Sequence, residues 1–451
     1  MTLVATRPEP GAPRPWRFPS FEHRTVAGGR VIACHLPGQP LAVVSLVLDA
    51  GAVTEPSGRE GVAQLVARAL SEGTTELDAY QFGVAGERLG ATWRAYADWD
   101  SMRCGFEAPV DHLSGAAELL AAAVRTPSLD DATLERVRDE RLDEMRLELS
   151  QPGPRASAGF AASVFAAQSR YHVPDGGSLD SVTALGPDDV RAFHAERIGP
   201  DIATLVVAGD LDDVDVDALG RTVFDGWSAK PVMTTEPVVA TRGGGRRVVV
   251  VDRPGAVQSM LYAGHDGPSR SVPDYVPTTT MALVLGGMFT SRLNFRLRED
   301  KGYSYGAFGS FDCRRHGGVF STRAAVQTEV TAPALVAAIG EIETLHTGGA
   351  TEDEVDQARS YRAGVFPINF AGPGPVAAGL SDLVVHRLPD DHFDRLRQQV
   401  LDVSLDAVNE AATNRLRPSD LVAVVVGDAS AVLDDLRAAD IGPVEVVGDE
   451  D

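Results

Sequence analysis

"LGPDDVRAFHAERIGPDIATLVVAGD" (residues 185–210) and "VSLDAVNEAATNRLRPSDLVAVVVGD" (403–428) lie over one another at a constant shift of 218 residues, with no gap. Under that shift Asp188 meets Asp406, Val190 meets Val408, Arg197 meets Arg415, Pro200 meets Pro418, and Gly209-Asp210 meets Gly427-Asp428. Each copy reads as a capped amphipathic helix, a proline-marked turn and a β-branched run ending at Gly-Asp: a helix feeding a buried strand. A second echo opens each half, where "GGRVIACHLPG" (28–38) resembles "GRRVVVVDRPG" (245–255). Internal self-similarity sets the architecture before any single element does. The chain therefore divides into two similar halves, 21–227 and 246–451, preceded by a proline-rich extended arm over 1–20. Residues 228–245 between them carry two prolines and end in three glycines, a composition that suits an extended surface linker.

Within each half, apolar runs such as "LAVVSLVLDAG" (41–51) alternate with helical patterns such as "GAAELLAAAVR" (115–125) and "TLERVRDERLDEMRLEL" (133–149). That alternation predicts an α+β fold in which helices cover one face of a mainly antiparallel sheet, with two such layers per half. At 451 residues the chain exceeds what one core serves, and with 44% hydrophobic and 23% charged residues it can bury several. A formal charge of −23 excludes the broad basic face that nucleic acid or an anionic membrane requires. No run of 18 apolar residues predicts a membrane span. Cys34, Cys104 and Cys313 are an odd, scattered set, which supports neither a disulfide framework nor a cysteine zinc site and suits a reducing compartment. The arm lacks the apolar stretch of a secretory signal, so a cytoplasmic location is expected.

Against the acidic background, "SRLNFRLREDKGYSYG" (291–306) gathers four basic side chains, two tyrosines and two glycines. Within the longer string "GGMFTSRLNFRLREDKGYSYGA" (286–307), and with the duplicated halves, the chain resembles the pitrilysin/insulinase family of zinc metalloproteases over about residues 20–430. In particular it resembles the bacterial half-length subunits related to mitochondrial processing peptidase. The resemblance implies a clam-shell of two halves, and an H-x-x-E-H helix in the first, whose histidines bind zinc while the glutamate activates water. The matching stretch here is "GVAQLVARALSEGT" (61–74). Gln64 and Arg68 stand at the histidine positions and Ala67 at the glutamate, so no metal ligand and no catalytic residue is expected in this chain. Val62, Leu65, Val66, Ala69 and Leu70 preserve the buried face of a helix.

Glu140 and Glu144 fall 72 and 76 residues beyond Arg68, near the place of the family's third ligand. They read as solvated helix charges spaced to pair with Arg136, Arg141 or Arg146. Trp93 and Arg94 stand where catalytic members carry an Asn-Ala pair on the substrate-edge strand. None of the ten histidines forms H-x-x-x-H, and the nearest pair, His386 and His392, spans a proline.

By the same resemblance, Arg298 and Tyr305 match an arginine and tyrosine that hold the substrate's backbone or terminal carboxylate. A guanidinium fork and a phenol are suited to that task. Gly302 and Gly306 would allow the turn that returns Tyr305 towards Arg298, Tyr303 would pack, and Arg292, outside the matched pair, would matter little to catalysis. The implied role is a non-zinc, substrate-binding subunit. A homologous partner would supply zinc and base, and an extended peptide would add to a sheet edge. Two rivals remain: an assembly or scaffold protein that has lost proteolysis, and a homodimeric peptide-binding protein.

Overall fold

The computed structural model describes residues 11, 14–228 and 236–448. Residues 1–10, 12–13, 229–235 and 449–451, which hold much of the expected arm and part of the linker, lie outside the described residues. The fold is α+β, with one six-stranded sheet in each half. The first runs β1-β2-β6-β3-β5-β4, from β1 (Glu22–Val26), β2 (Gly29–His35), β3 (Leu41–Leu48), β4 (Thr92–Ala97), β5 (Met102–Pro109) and β6 (Ala203–Gly209). The second runs β12-β7-β11-β8-β10-β9, from β7 (Arg247–Asp252), β8 (Gln258–Gly267), β9 (Ala307–Cys313), β10 (Gly318–Gln327), β11 (Val422–Gly427) and β12 (Val444–Val447). The two α+β layers expected in each half come down to one such sheet with its helices. Pairing is antiparallel except where β2 meets β6 and where β7 meets β11 and β12.

The duplication persists to single hydrogen bonds. Gly38 N–H donates to Asp210 Oδ2 at 2.8 Å, and Gly255 N–H to Asp428 Oδ2 at 2.8 Å. Likewise Leu211 N–H donates to His35 Nδ1 at 3.0 Å, and Ala429 N–H to Asp252 Oδ1 at 2.9 Å.

The repeated strands β6 and β11 are buried at every residue, as continuous apolar runs are when both faces of a sheet are covered. Part of that cover is exchanged between the halves. The Pro152–Val164 helix of the first half packs on β8 and β11, and the Pro373–Val385 helix of the second packs on β3 and β6. Val376, Ala377 and Leu380 therefore share a core with Ile32, Cys34, Val47, Val206 and Ala208. Ala156, Phe160 and Val164 share another with Val249, Val251, Tyr262, Val424 and Val426. Both helices open with Pro-Gly-Pro, at 152–154 and 373–375. Proline suits the first helical turn, where its missing N–H costs nothing.

Residues 14–20 form neither helix nor strand, yet they are clasped by the second half. Trp16 stacks on Phe370 at 5.6 Å and Phe18 on Phe393 at 4.6 Å. Phe18 N–H donates to Asp394 and Arg397 to the Arg14 carbonyl. The described part of the linker runs exposed, with Thr241 bridged to Phe165. Among the described residues no helix is long and apolar enough to cross a membrane.

Candidate functional site

The Val62–Ala69 helix starts from Gly61, whose φ of +99° favours glycine. Its first turn is capped from outside by the buried Glu55. One carboxylate oxygen accepts from Gly61 N–H at 3.0 Å and Ala63 N–H at 2.9 Å, and the other from Arg170 at 2.7 and 3.0 Å. Burial pushes this carboxyl up to about 7, against the pull of Arg170 and the two amides. Val62, Ala63, Leu65, Val66, Ala67 and Ala69 are buried, which leaves Gln64 and Arg68 one turn apart on the less covered face.

Gln64 Oε1 accepts from Ala97 N–H, at the end of edge strand β4, at 3.1 Å. Arg68 reaches to the Asp131–Leu149 helix, where its two terminal nitrogens donate to the two oxygens of Glu144 at 3.1 and 2.5 Å. Hydrogen bonding from Arg68 holds the Glu144 carboxyl below its usual range. Arg141 lies 3.5 Å from Glu144 and 2.9 Å from Glu148, while Glu140 pairs with Arg136 at 2.8 Å. Both candidates for the family's third-ligand position are thus engaged by arginines: Glu140 by Arg136 and Glu144 by Arg141, as their spacing predicts, and Glu144 also by Arg68, which spacing did not supply. These groups do not fit a zinc ion: a carboxamide oxygen already bonded to the backbone, a permanent cation and its carboxylate offer no histidine nitrogen. Ala67 is fully buried and brings no base.

On β4 the side chains alternate. Trp93 turns to the core, 5.7 Å from Phe82 and 4.9 Å from Phe106. Arg94 is exposed and, among the described residues, makes no hydrogen bond or ion pair.

In the second half, Arg292–Asn294 is a short helix that continues as a π-helical turn, Phe295–Asp300, and leads into edge strand β9. Leu293 and Leu297 are buried. Gly286, in the preceding Leu283–Gly287 turn, lets that turn approach β9, because a Cβ there would lie 2.3 Å from Gly309 N. Asn294 ties the segment together, accepting from Ala307 N–H at 3.0 Å and donating to the Met288 carbonyl at 3.1 Å. The turn after the helix uses Gly302 at φ +64°. Gly306 is not left-handed, and a Cβ there would meet Phe308 and Asn294 at ordinary contact distance, so one glycine makes the turn where two were expected.

The basic island is mostly neutralised within the chain. Arg292 is anchored on Glu354 at 2.6 and 2.8 Å and on the Gly349 carbonyl at 2.8 Å. Arg292 thus has a structural role that the sequence did not show, fixing the motif to the start of the Glu352–Asn369 helix. Arg296 pairs with Asp300 and Glu341. Arg298 has only a long 3.6 Å approach to Glu299 and lies over the Phe289 ring at 4.4 Å. Tyr305 is 98% exposed, while Tyr303 packs against the core. Among the described residues no hydrogen bond joins Arg298 to Tyr305; Arg298 is half-buried, and Tyr305 stands exposed just before β9.

Residues 30–154 match the description insulinase (peptidase family M16), and residues 184–361 match peptidase M16 inactive domain. The first segment holds Gln64, Ala67 and Arg68, and the second holds Arg298 and Tyr305. The chain belongs to the M16 family. Among M16 relatives, an uncharacterised zinc protease of Mycobacterium leprae is 26% identical over 347 residues, 76% of this chain and 77% of its own. Two Helicobacter pylori proteins carry opposite descriptions. Zinc protease PqqE is 24% identical, covering 82% of this chain and 84% of its own. Non-peptidase homolog YmxG is 22% identical, covering 86% and 89%. A solved peptidase M16 inactive domain from Pseudomonas fluorescens shares the fold at a TM-score of 0.84 and 22% identity, covering 91% of this chain and 98% of that one.

A further cluster, His35 with Asp210 and Asp212, brings potential metal-ligand atoms within 4.8 Å of one another. Its repeat in the second half makes the same hydrogen bonds with Asp252 in place of His35. The cluster is thereby explained as the turn after a buried strand.

Proposed function

We propose that this M16 chain is the non-zinc, substrate-binding subunit of a heterodimeric zinc metallopeptidase. The observation that carries the reading is a contrast between two positions of the same chain. At the degenerate zinc helix the two side chains at the histidine positions are engaged within the chain, the Gln64 carbonyl oxygen by Ala97 N–H and the Arg68 guanidinium by Glu144. At the second-half motif, Arg298 and Tyr305 are held on an anchored segment yet left without strong partners. In this reading zinc and general base belong to a homologous partner. Arg298 donates a forked pair of hydrogen bonds to a peptide carboxylate or carbonyl, and Tyr305 donates one more. The peptide lies extended, adding to a sheet edge, and the complex works in the cytoplasm.

The test is co-expression with an M16 homologue that has an intact H-x-x-E-H helix, followed by purification and a peptide-library assay. The expected result is a stable complex with chelator-sensitive cleavage, and no cleavage by this chain alone. Cleavage by this chain alone, undiminished on further purification, would overturn the assignment. The description of YmxG as a non-peptidase homolog keeps a scaffold reading in view. That reading predicts a complex whose cleavage is indifferent to Arg298.

A further inference from the structure

A cavity of about 580 Å³ opens between the segment 270–277 and the His392–Asp402 helix, away from the residues matched to the family motifs. Val272, Val276, Leu388, Leu396 and Val403 give it apolar walls, and Arg270 and His392 line it as well. The Arg270 guanidinium lies 3.6 Å over the Tyr275 ring and is 2.9 Å from His392 Nε2, to which it donates. A second guanidinium, Arg362, lies 6.0 Å from the same ring and donates to Thr279 Oγ1. Among the described residues neither arginine has a carboxylate within ion-pair distance, in a chain with 64 acidic residues against 41 basic ones. Of the nearby acids, Asp391 pairs with Arg395 and Asp274 with Arg415, while Asp402, which lines the cavity on the His392–Asp402 helix, accepts from the Gln398 amide. Arg270 therefore lines, without an ion pair of its own, a cavity whose walls are apolar on one part and polar on the other, and Arg362 adds a second positive charge behind the Tyr275 ring. Such a combination of apolar walls and a few convergent polar groups is the usual form of a small-molecule site.

We propose that this cavity binds a small organic anion with an apolar body, such as a medium-chain carboxylate, whose charged end is held by Arg270 and His392. The guanidinium offers the forked donors a carboxylate prefers. Burial and Arg270 push His392 down to about 4, so it is neutral near pH 7, and a bound anion would favour its protonation. The charged and titratable groups around it are Arg270, Arg362, His386 and Asp391, and Asp402 lines the same cavity. The site is independent of the peptidase reading.

The test is calorimetric titration of the full chain near pH 7 with sodium decanoate, with decanol as the neutral probe and inorganic phosphate as the anion without an apolar body. Decanoate is expected to bind at least tenfold more tightly than either, and at least tenfold more weakly to Arg270→Gln. Decanol binding as well as decanoate, or an undiminished Arg270→Gln, would remove the charged end from the proposal. Phosphate binding as well as decanoate would remove the apolar body. Should Arg270→Gln not fold, the unmodified chain still decides the matter by NMR: saturating decanoate raises the His392 pKa by at least one unit, and an unmoved His392 overturns the site.

Discussion

At the residue scale, Arg68 replaces a metal-binding imidazole with a cation that cannot be removed near neutral pH, and Glu144 answers it with both oxygens. The bridge is partly exposed, so Arg68→Met should cost at most about 1 kcal/mol of stability by urea unfolding. Replacing Gln64 and Arg68 together with histidine releases Glu144 from Arg68, leaving it only the longer 3.5 Å approach of Arg141, and sets two imidazoles one helical turn apart. That variant should retain about one zinc per chain after dialysis where the parent retains none, and should still not hydrolyse peptides, because Ala67 supplies no base. A variant that loads no metal would place Glu144 out of reach of a third-ligand role. Arg298 and Tyr305 have the opposite character, Arg298 held only loosely by Glu299 and the Phe289 ring and Tyr305 almost fully exposed, where Arg68 is committed to Glu144. In the heterodimer, Arg298→Ala should lower kcat/KM by roughly 10- to 100-fold, the consequence of losing about 1.5 to 3 kcal/mol of charged hydrogen bonding. Tyr305→Phe should lose less, near 0.5 to 1.5 kcal/mol. The suitable control is Arg296→Ala, whose side chain is paired on the surface with Asp300 and Glu341. If Arg298→Ala and Arg296→Ala leave kcat/KM equal, the open arginine has no role in catalysis.

At the element scale, the short helix before β9 depends on Arg292, whose guanidinium is mostly covered and bridges to Glu354. Arg292→Ala removes a paired charge and leaves Glu354 with only its Thr351 donors, so a loss of roughly 1.5 to 3 kcal/mol is expected in urea unfolding. The sequence pattern showed this helix through Leu293 and Leu297, but it could not show which of four basic residues were anchors. That depends on acids 45 to 62 residues away, Glu341 and Glu354. The same limit hid the Arg68–Glu144 bridge, since local i,i+4 spacing offered Glu144 only its own helix's arginines. The repeat at 185–210 and 403–428 was legible because a helix feeding a doubly buried strand leaves a strong pattern. The exchange of the Pro-Gly-Pro helices was not read, although both motifs stand in the sequence, because the partner of an amphipathic face is set by tertiary packing. Leu380 tests that exchange. It is fully buried in the second-half helix that covers the first-half sheet, so Leu380→Ala should cost about 2 to 5 kcal/mol. Unfolding should remain a single transition by calorimetry, because the cavity lies in a core the two halves share.

At the scale of the whole molecule, two sheets, two exchanged helices and the clasped 14–20 segment make the halves interdependent, so a protonation event in one half should be felt in global stability. His265 on β8 is such a group. It is 2% exposed, and as a neutral ring it donates from Nδ1 to the Asp266 carbonyl at 2.6 Å and accepts at Nε2 from Arg417 N–H at 3.1 Å. Burial, aided by the Arg417 charge, pushes it from 6.5 down to about 4. Between those values the unfolded chain binds a proton that the folded chain refuses. The stabilisation from neutral His265 is therefore fully present above about pH 6.5 and is lost as pH falls towards 4. At 1.36 kcal/mol per unit, the loss across that window is roughly 3 kcal/mol. His392, also pushed down to about 4, acts in the same direction, but its partial exposure reduces its share. The measurement is the urea midpoint of the full chain at steps between pH 7 and 4, for the parent and for His265→Gln, whose side chain also offers one donor and one acceptor and does not titrate. The variant should begin less stable or equal at pH 7 and lose stability less steeply as pH falls, by about 1 kcal/mol per unit through the middle of the window. Parallel curves for the two proteins would mean that the buried imidazole is not what links acid to unfolding, and that the surface carboxylates set the whole slope.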